Sequence, residues 1–166
     1  MAATGSFPWR EPARPGRRVF EWGLLASVIL ALVLLLLRQG QQVQGQAELA
    51  AIKMTLGALR TAAIMDHLQA KARGKPAATP DNPFDLLQAR PAHYLGVLGP
   101  GQASAAHPGS WWLDPECRCV VYAPLEPRWL AANSGGQMLR FRVTTSGGPL
   151  QLVALEAYLW QGQRVE

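Results

Sequence analysis

The sequence predicts an α+β fold: a long N-terminal helix, transmembrane in its first half and amphipathic in its second, packed on a small C-terminal antiparallel sheet. Three observations predict it. An uncharged apolar run extends from Trp22 to Leu37 and is closed by Arg38. Residues 47–74 carry apolar side chains at three- and four-residue steps, the period of a one-faced helix. The C-terminal half holds short β-prone segments separated by Gly, Pro and Asp turns.

The apolar run comes first. At a rise of about 1.5 Å per residue it approaches the roughly 30 Å hydrocarbon core of a bilayer. Trp22 and Arg38 are placed to sit at the two interfaces. A secretory signal would have a shorter apolar region and a small-x-small cleavage site, and "LLLLRQGQQ" offers none. Charge agrees with a span. The net charge is +5, from sixteen Lys/Arg and eleven Asp/Glu. Arg10, Arg14, Arg17 and Arg18 face only Glu11 in residues 1–18, and Glu21 and Arg38 follow, leaving eleven basic against nine acidic residues from 39 onward. The excess therefore sits in a basic head, which the positive-inside rule places in the cytoplasm. A nucleic-acid binder would carry it on the folded part.

The second segment reads "AELAAIKMTLGALRTAAIMDHLQAKARG", rich in strong helix formers. Leu49, Ile52, Leu56, Leu59 and Ala63 make one stripe, with Lys53 and Arg60 off it. Gly74 and Pro76 stop the helix near residue 73, and Gly40 and Gly45 allow a bend in the linker. The predicted organisation is a basic head at 1–18, a transmembrane helix at 19–38, a helical stalk at 39–76 and a globular part at 77–166.

In the globular part, Asp81 or Asn82 caps a short helix with Pro83 at its first position and Asp85 in its first turn. Phe84, Leu86 and Leu87 are its buried side chains. "PAHYLGVLGPGQASAAHPGS" reads as a long loop. Four strand segments follow: 111–113, 117–124, 138–145 and 150–160. A turn at 114–116 makes the first two a hairpin. In the third, Leu139, Phe141 and Val143 share one face and Arg140, Arg142 and Thr144 the other. The sheet needs cover on one face, and the stripe at 47–73 supplies it.

Cys117 and Cys119 would lie about 7 Å apart on a strand rising about 3.3–3.4 Å per residue, so a bond between them needs a local bend. A clip stiffening the 114–119 turn, two free thiols and a redox centre remain open. Trp111 and Trp112 are adjacent, so one faces the core. The other, with Tyr122 or Trp129, either forms an exposed partner surface or is covered by residues 97–110. His67, His93 and His107 lack metal-ligand spacing. Ser104, Ser110, Ser134 and Ser146 lack a nucleophile elbow, and the glycine-rich loop lacks the ending of a P-loop. No catalytic, cofactor-binding or metal residue is predicted, and no small-molecule substrate.

The order of these elements resembles the type IV pilins and type II secretion pseudopilins. Prepilins have a basic leader ending in Gly, and a Glu five residues later inside the apolar run. Gly16 and Glu21 stand at that spacing. The pieces "NPFDLL", "PAHYLG", "PGSWWLD", "CVVYAP" and "LRFRV" also resemble accessory proteins found with mannose-sensitive haemagglutinin pilus and type II secretion genes of proteobacteria. The resemblance spans residues 16–145. It implies a pilin-like domain in the periplasm, an inner-membrane anchor, and a non-enzymatic role in filament assembly. Partners would be other pilin-like subunits or inner-membrane platform proteins. It makes Gly16 a processing site and Glu21 a register residue that pairs with a neighbouring subunit's N-terminus. One departure stands against processing: pilins have an apolar residue after the cleaved Gly, and here Arg17 and Arg18 follow. Glu21 accordingly has a second reading, as a headgroup-level carboxylate paired with Arg17 or Arg18 within one helical turn. A membrane-anchored thiol or ligand-binding module using Cys117 and Cys119 is the alternative function.

Overall fold

The structure is a computed structural model, and it describes residues 15–75, 80–99, 101–103, 106–145 and 148–165. Arg10, Glu11 and Arg14 of the basic head lie outside the described residues, as do Pro76, Ser104 and Ser146. The chain divides into two compact units, Met1–Val43 and Gln44–Glu166. Helix α1, Pro15–Ala72, contributes to both.

In the first unit α1 is exposed along its apolar run, and none of its most apolar window is buried within the chain. A solvated surface of Leu, Val and Ile this long is unfavourable in water. The helix is long and apolar enough to cross a membrane once.

The second unit is α+β: the remainder of α1 packs against an antiparallel-dominated sheet. Leu49, Ile52, Leu56, Leu59 and Ala63 are all buried, as the stripe predicts. Helix α1 is continuous through Gly40 and Gly45, where a bend was allowed. Gly45 has a different use. A Cβ there would run into the Gln161 side chain, and its carbonyl accepts the Trp160 indole N–H at 2.8 Å. Glycine lets the helix and that aromatic meet. Past Ala72 the chain turns at Gly74, whose φ of 64° suits glycine. Lys75 N–H donates to Ala70 O at 3.0 Å and Gly74 N–H to Lys71 O at 3.1 Å, the paired bonds of a Schellman cap.

A 3₁₀ turn, Pro83–Leu86, follows. The Asn82 side chain accepts from Phe84 N at 3.1 Å, so Asn82 and not Asp81 is the cap. Phe84 is fully buried, and Leu86 and Leu87 are half-buried against the core.

Eight strands follow among the described residues: β1 Tyr94–Val97, β2 Trp111–Asp114, β3 Cys119–Tyr122, β4 Leu130–Ala132, β5 Leu139–Thr144, β6 Gln151–Ala154, β7 Tyr158–Trp160 and β8 Gln163–Val165. They form a sheet of order β1-β2-β3-β5-β6 and a second of order β4-β7-β8. The β2–β3 hairpin is present as expected, pairing Trp111 with Tyr122 and Asp114 with Cys119. In β5, Leu139 and Phe141 are buried while Arg140 and Arg142 are exposed, as its alternation requires.

Three strand expectations need correction. The stretch read as a loop contains β1, which pairs parallel to β2. A parallel neighbour needs a long crossover, and the chain between Val97 and Trp111 supplies it. The expected strand 117–124 starts only at Cys119. The segment 150–160 is two strands in different sheets. The Glu156 carboxylate takes Ser134 N and Ser134 Oγ, each at 2.8 Å, and pins the corner between them. Tyr158 OH then receives Arg140 N–H at 3.0 Å, which joins the two sheets.

The main core holds the α1 stripe, Phe84, Trp111, Leu113, Val120, Tyr122, Leu139, Phe141, Tyr158 and Trp160. A second cluster, Trp112, Cys119, Val121 and Ala123, lies on the alternate side chains of β2 and β3. Leu98, Ala103, Ala106, Cys117 and Met138 pack on it. The five-stranded sheet is therefore covered on its helix-facing side and, on the other side, at β2 and β3, while Arg140, Arg142 and Val153 leave that second side open at β5 and β6.

Candidate functional site

Glu48 is the one carboxylate among the buried polar and charged groups of the described residues, at 6 % exposed. It sits on α1 four residues before Ile52, which puts it on the apolar stripe. Its Oε1 accepts two hydrogen bonds of 2.8 Å, from Tyr122 OH and from Leu125 N. Its Oε2 is buried with no partner among the described residues. The arrangement clamps α1 to the end of β3 and to the chain leaving it. Burial, and then the hydrogen bond and charge of Glu48, push the Tyr122 phenol well above its ordinary value. Tyr122 is therefore a donor to Glu48 over the working pH range.

The same residues line a cleft of about 490 Å³, within the size range of small-ligand sites. One wall is α1, with Ala47, Glu48, Ala51 and Ile52. The other is formed by residues 91–93 and 108–109 with Trp111, Tyr122 and Leu125. His93 holds a left-handed backbone at φ 62° and passes its carbonyl to Trp111 N at 3.1 Å. Among the described residues, no Lys or Arg lines the cleft.

The predicted residues fall as follows. Gly16 and Glu21 lie on the exposed part of α1 in the first unit. Leu49, Ile52, Leu56 and Leu59 fill the core of the second unit, so their face is used within the chain. Cys117 and Cys119 are disulfide-bonded with Cα atoms 5.2 Å apart. The strand estimate was longer because both cysteines were placed on one strand. Instead Cys117 and Arg118 form the β2–β3 turn, and Arg118 at φ 51° supplies the bend. The bond is thus a clip across a turn, and Cys119 is fully buried.

The expected aromatic partner surface is not there. Trp111, Trp112 and Tyr122 are 4 %, 1 % and 5 % exposed. The two tryptophans do point to opposite faces, but both faces are covered at β2. Trp111 stacks near Tyr122, with ring centroids 4.6 Å apart, against the helix side. Trp112 lies under Leu98, Ala103 and Ala106 of the crossover, which is the covering role considered for residues 97–110. Trp129 is half-buried beside Trp160, at 5.9 Å. His93 and His107 are exposed and His67 is half-buried. No group of three metal-ligating side chains occurs among the described residues.

The reading of the residues missed Glu48. The available signal was a carboxylate four and eight residues before Ile52 and Leu56, on an otherwise apolar stripe. Compared with protein-family models, with curated proteins and with solved structures, the chain matches none.

Proposed function

We propose that the chain is a single-pass inner-membrane protein that assists assembly of a type IV pilus or type II secretion-like filament, as an accessory or minor component. It performs this role without catalysing a reaction. Its N-terminus lies in the cytoplasm, by the charge of the head, and its α+β domain lies in the periplasm. The observation that carries the reading is one helix, Pro15–Ala72, exposed and apolar in its first part and buried against a sheet in its second. The Gly16–Glu21 spacing adds the resemblance to a prepilin head. The partners are other pilin-like subunits or platform proteins, met through exposed membrane side chains such as Leu30 and Leu34. The free edge of β6, with Val153 half exposed, offers a second contact.

The test is photo-crosslinking in living cells from Leu30 and Leu34, one at a time. The expected adducts contain a pilin-like subunit or a platform protein. Adducts with neither at both positions contradict the reading. Intact mass separates its two forms: an unprocessed assembly factor retains residues 1–16, whereas a filament subunit loses them.

The formed Cys117–Cys119 bond favours one second reading, a membrane-anchored thiol protein. Disulfide exchange needs a reachable sulfur, and Cys119 is fully buried. Replacing Cys119→Ser leaves assembly intact in the first reading and abolishes function in the second.

A further inference from the structure

The Glu48 cleft carries chemistry that the filament reading does not use. A carboxylate taken from water loses several kcal/mol of hydration unless donors or a cation replace it. Glu48 has two donors, both on Oε1. Among the described residues Oε2 is buried without a partner, and none of the cleft's lining residues is Lys or Arg. The site therefore lacks both a donor and a positive charge at one defined atom. Ala51, Ile52, Trp111 and Leu125 give its walls apolar and aromatic area, and Gln44, Thr55 and His93 add polar side chains. A metal ion is a poor fit, because one carboxylate does not make a cation cage and no ligand cluster exists among the described residues. A ligand that answers all of these features has an ammonium head and a carbon stem.

We propose that this cleft binds a primary alkylammonium group, its N–H donors meeting Glu48 Oε2 and its stem lying along Ile52, Trp111 and Leu125. The three donors of an ammonium supply the missing hydrogen bond together with the missing charge. The aromatic faces of Trp111 and Tyr122 favour the cation further. Oε2 is covered in the structure, so entry requires a side-chain shift. Leu125, 54 % exposed, lines the cleft and has room to make it. The same chemistry comes either as a free alkylamine or as a lysine side chain of a peptide. The proposal stands independently of the filament reading.

The experiment uses the full chain in detergent micelles, labelled with ¹⁵N-leucine, and follows the Leu125 amide. That amide donates to the same carboxylate, so it reports directly on it. The probes are n-butylammonium for a free amine, Nα-acetyl-lysine amide for a peptide lysine, and n-butanol as the uncharged control. The expected result is a saturable shift with at least one of the two ammonium probes and none with n-butanol. Binding by n-butylammonium alone assigns the free amine; binding by the lysine probe assigns the peptide side chain. Glu48→Gln keeps an oxygen for Tyr122 and Leu125 but removes the charge, and should weaken binding about tenfold or more. Ala51→Leu narrows the cleft from an exposed helix position and keeps the Glu48 carboxylate, and should weaken it comparably. Tyr122→Phe keeps the charge and should retain binding. No saturable shift with either ammonium, an equal response to n-butanol, or undiminished binding by both Glu48→Gln and Ala51→Leu overturns the proposal.

Discussion

Glu48 serves two donors with a single oxygen, and its removal leaves both without an acceptor. A buried donor left unpaired costs about 1–3 kcal/mol. Glu48→Ala is therefore expected to destabilise the domain by about 2–6 kcal/mol when the two donors are taken together. Glu48→Gln, which keeps an acceptor, should cost distinctly less, and chemical denaturation of the detergent-solubilised chain measures the difference. The chain has three tyrosines, and all are pushed upward, first by burial: Tyr94, Tyr122 and Tyr158. Each folded phenol resists ionisation more than its unfolded counterpart, so folding favours the protonated state. That contribution is whole below the ordinary value of 10.0 and falls as pH climbs above it. An absorbance titration should show tyrosinate appearing later than in the denatured chain, with stability declining over the same interval. A normal titration curve in the folded protein would contradict this.

At the scale of elements, the α1 stripe joins sequence to core. Leu56 and Leu59 have no exposed surface. Leu56→Ala is expected to cost about 2–5 kcal/mol by lost burial and the cavity it leaves. Met54→Ala, at a position 76 % exposed, should fall within about 0.5 kcal/mol of the parent. This element was legible in advance because its apolar residues keep the helical period through the whole interface. The β2–β3 and β5–β6 pairings were legible for the matching reason, alternation beside turn residues. What escaped has physical causes. Strand β1 lies in a Gly/Pro-rich stretch, and Gly96 at φ 89° sits in its irregular register. Strands β4 and β8 have three residues each, too short to show a period. Segment 150–160 hides its break, because Leu150, Leu152, Tyr158 and Trp160 all face inward. The alternation runs on across a corner that Glu156 and Ser134 fix through long-range bonds. Glu48 was missed because its partner Tyr122 lies 74 residues away.

Across the whole molecule, the two units answer different requirements. The apolar first part of α1 has no cover among the described residues, a surface that is unfavourable in water. The second unit packs the α1 stripe on one face of its five-stranded sheet, covers the other face at β2 and β3, and closes a turn with its cysteines. Trp111, Trp112 and Tyr122 therefore form no exposed patch, whereas the apolar first part of α1 and Val153 on the edge strand β6 are exposed. This is consistent with a component that works by occupying a position in an assembly. The most direct measurement is the number of surface filaments, with secretion as a parallel readout, on cells of the source organism lacking this protein. Cells restored with the full chain are the comparison. The account predicts loss or sharp reduction of filaments or secretion, with recovery on restoration. Filaments and secretion at the parental level in the absence of the protein would contradict it.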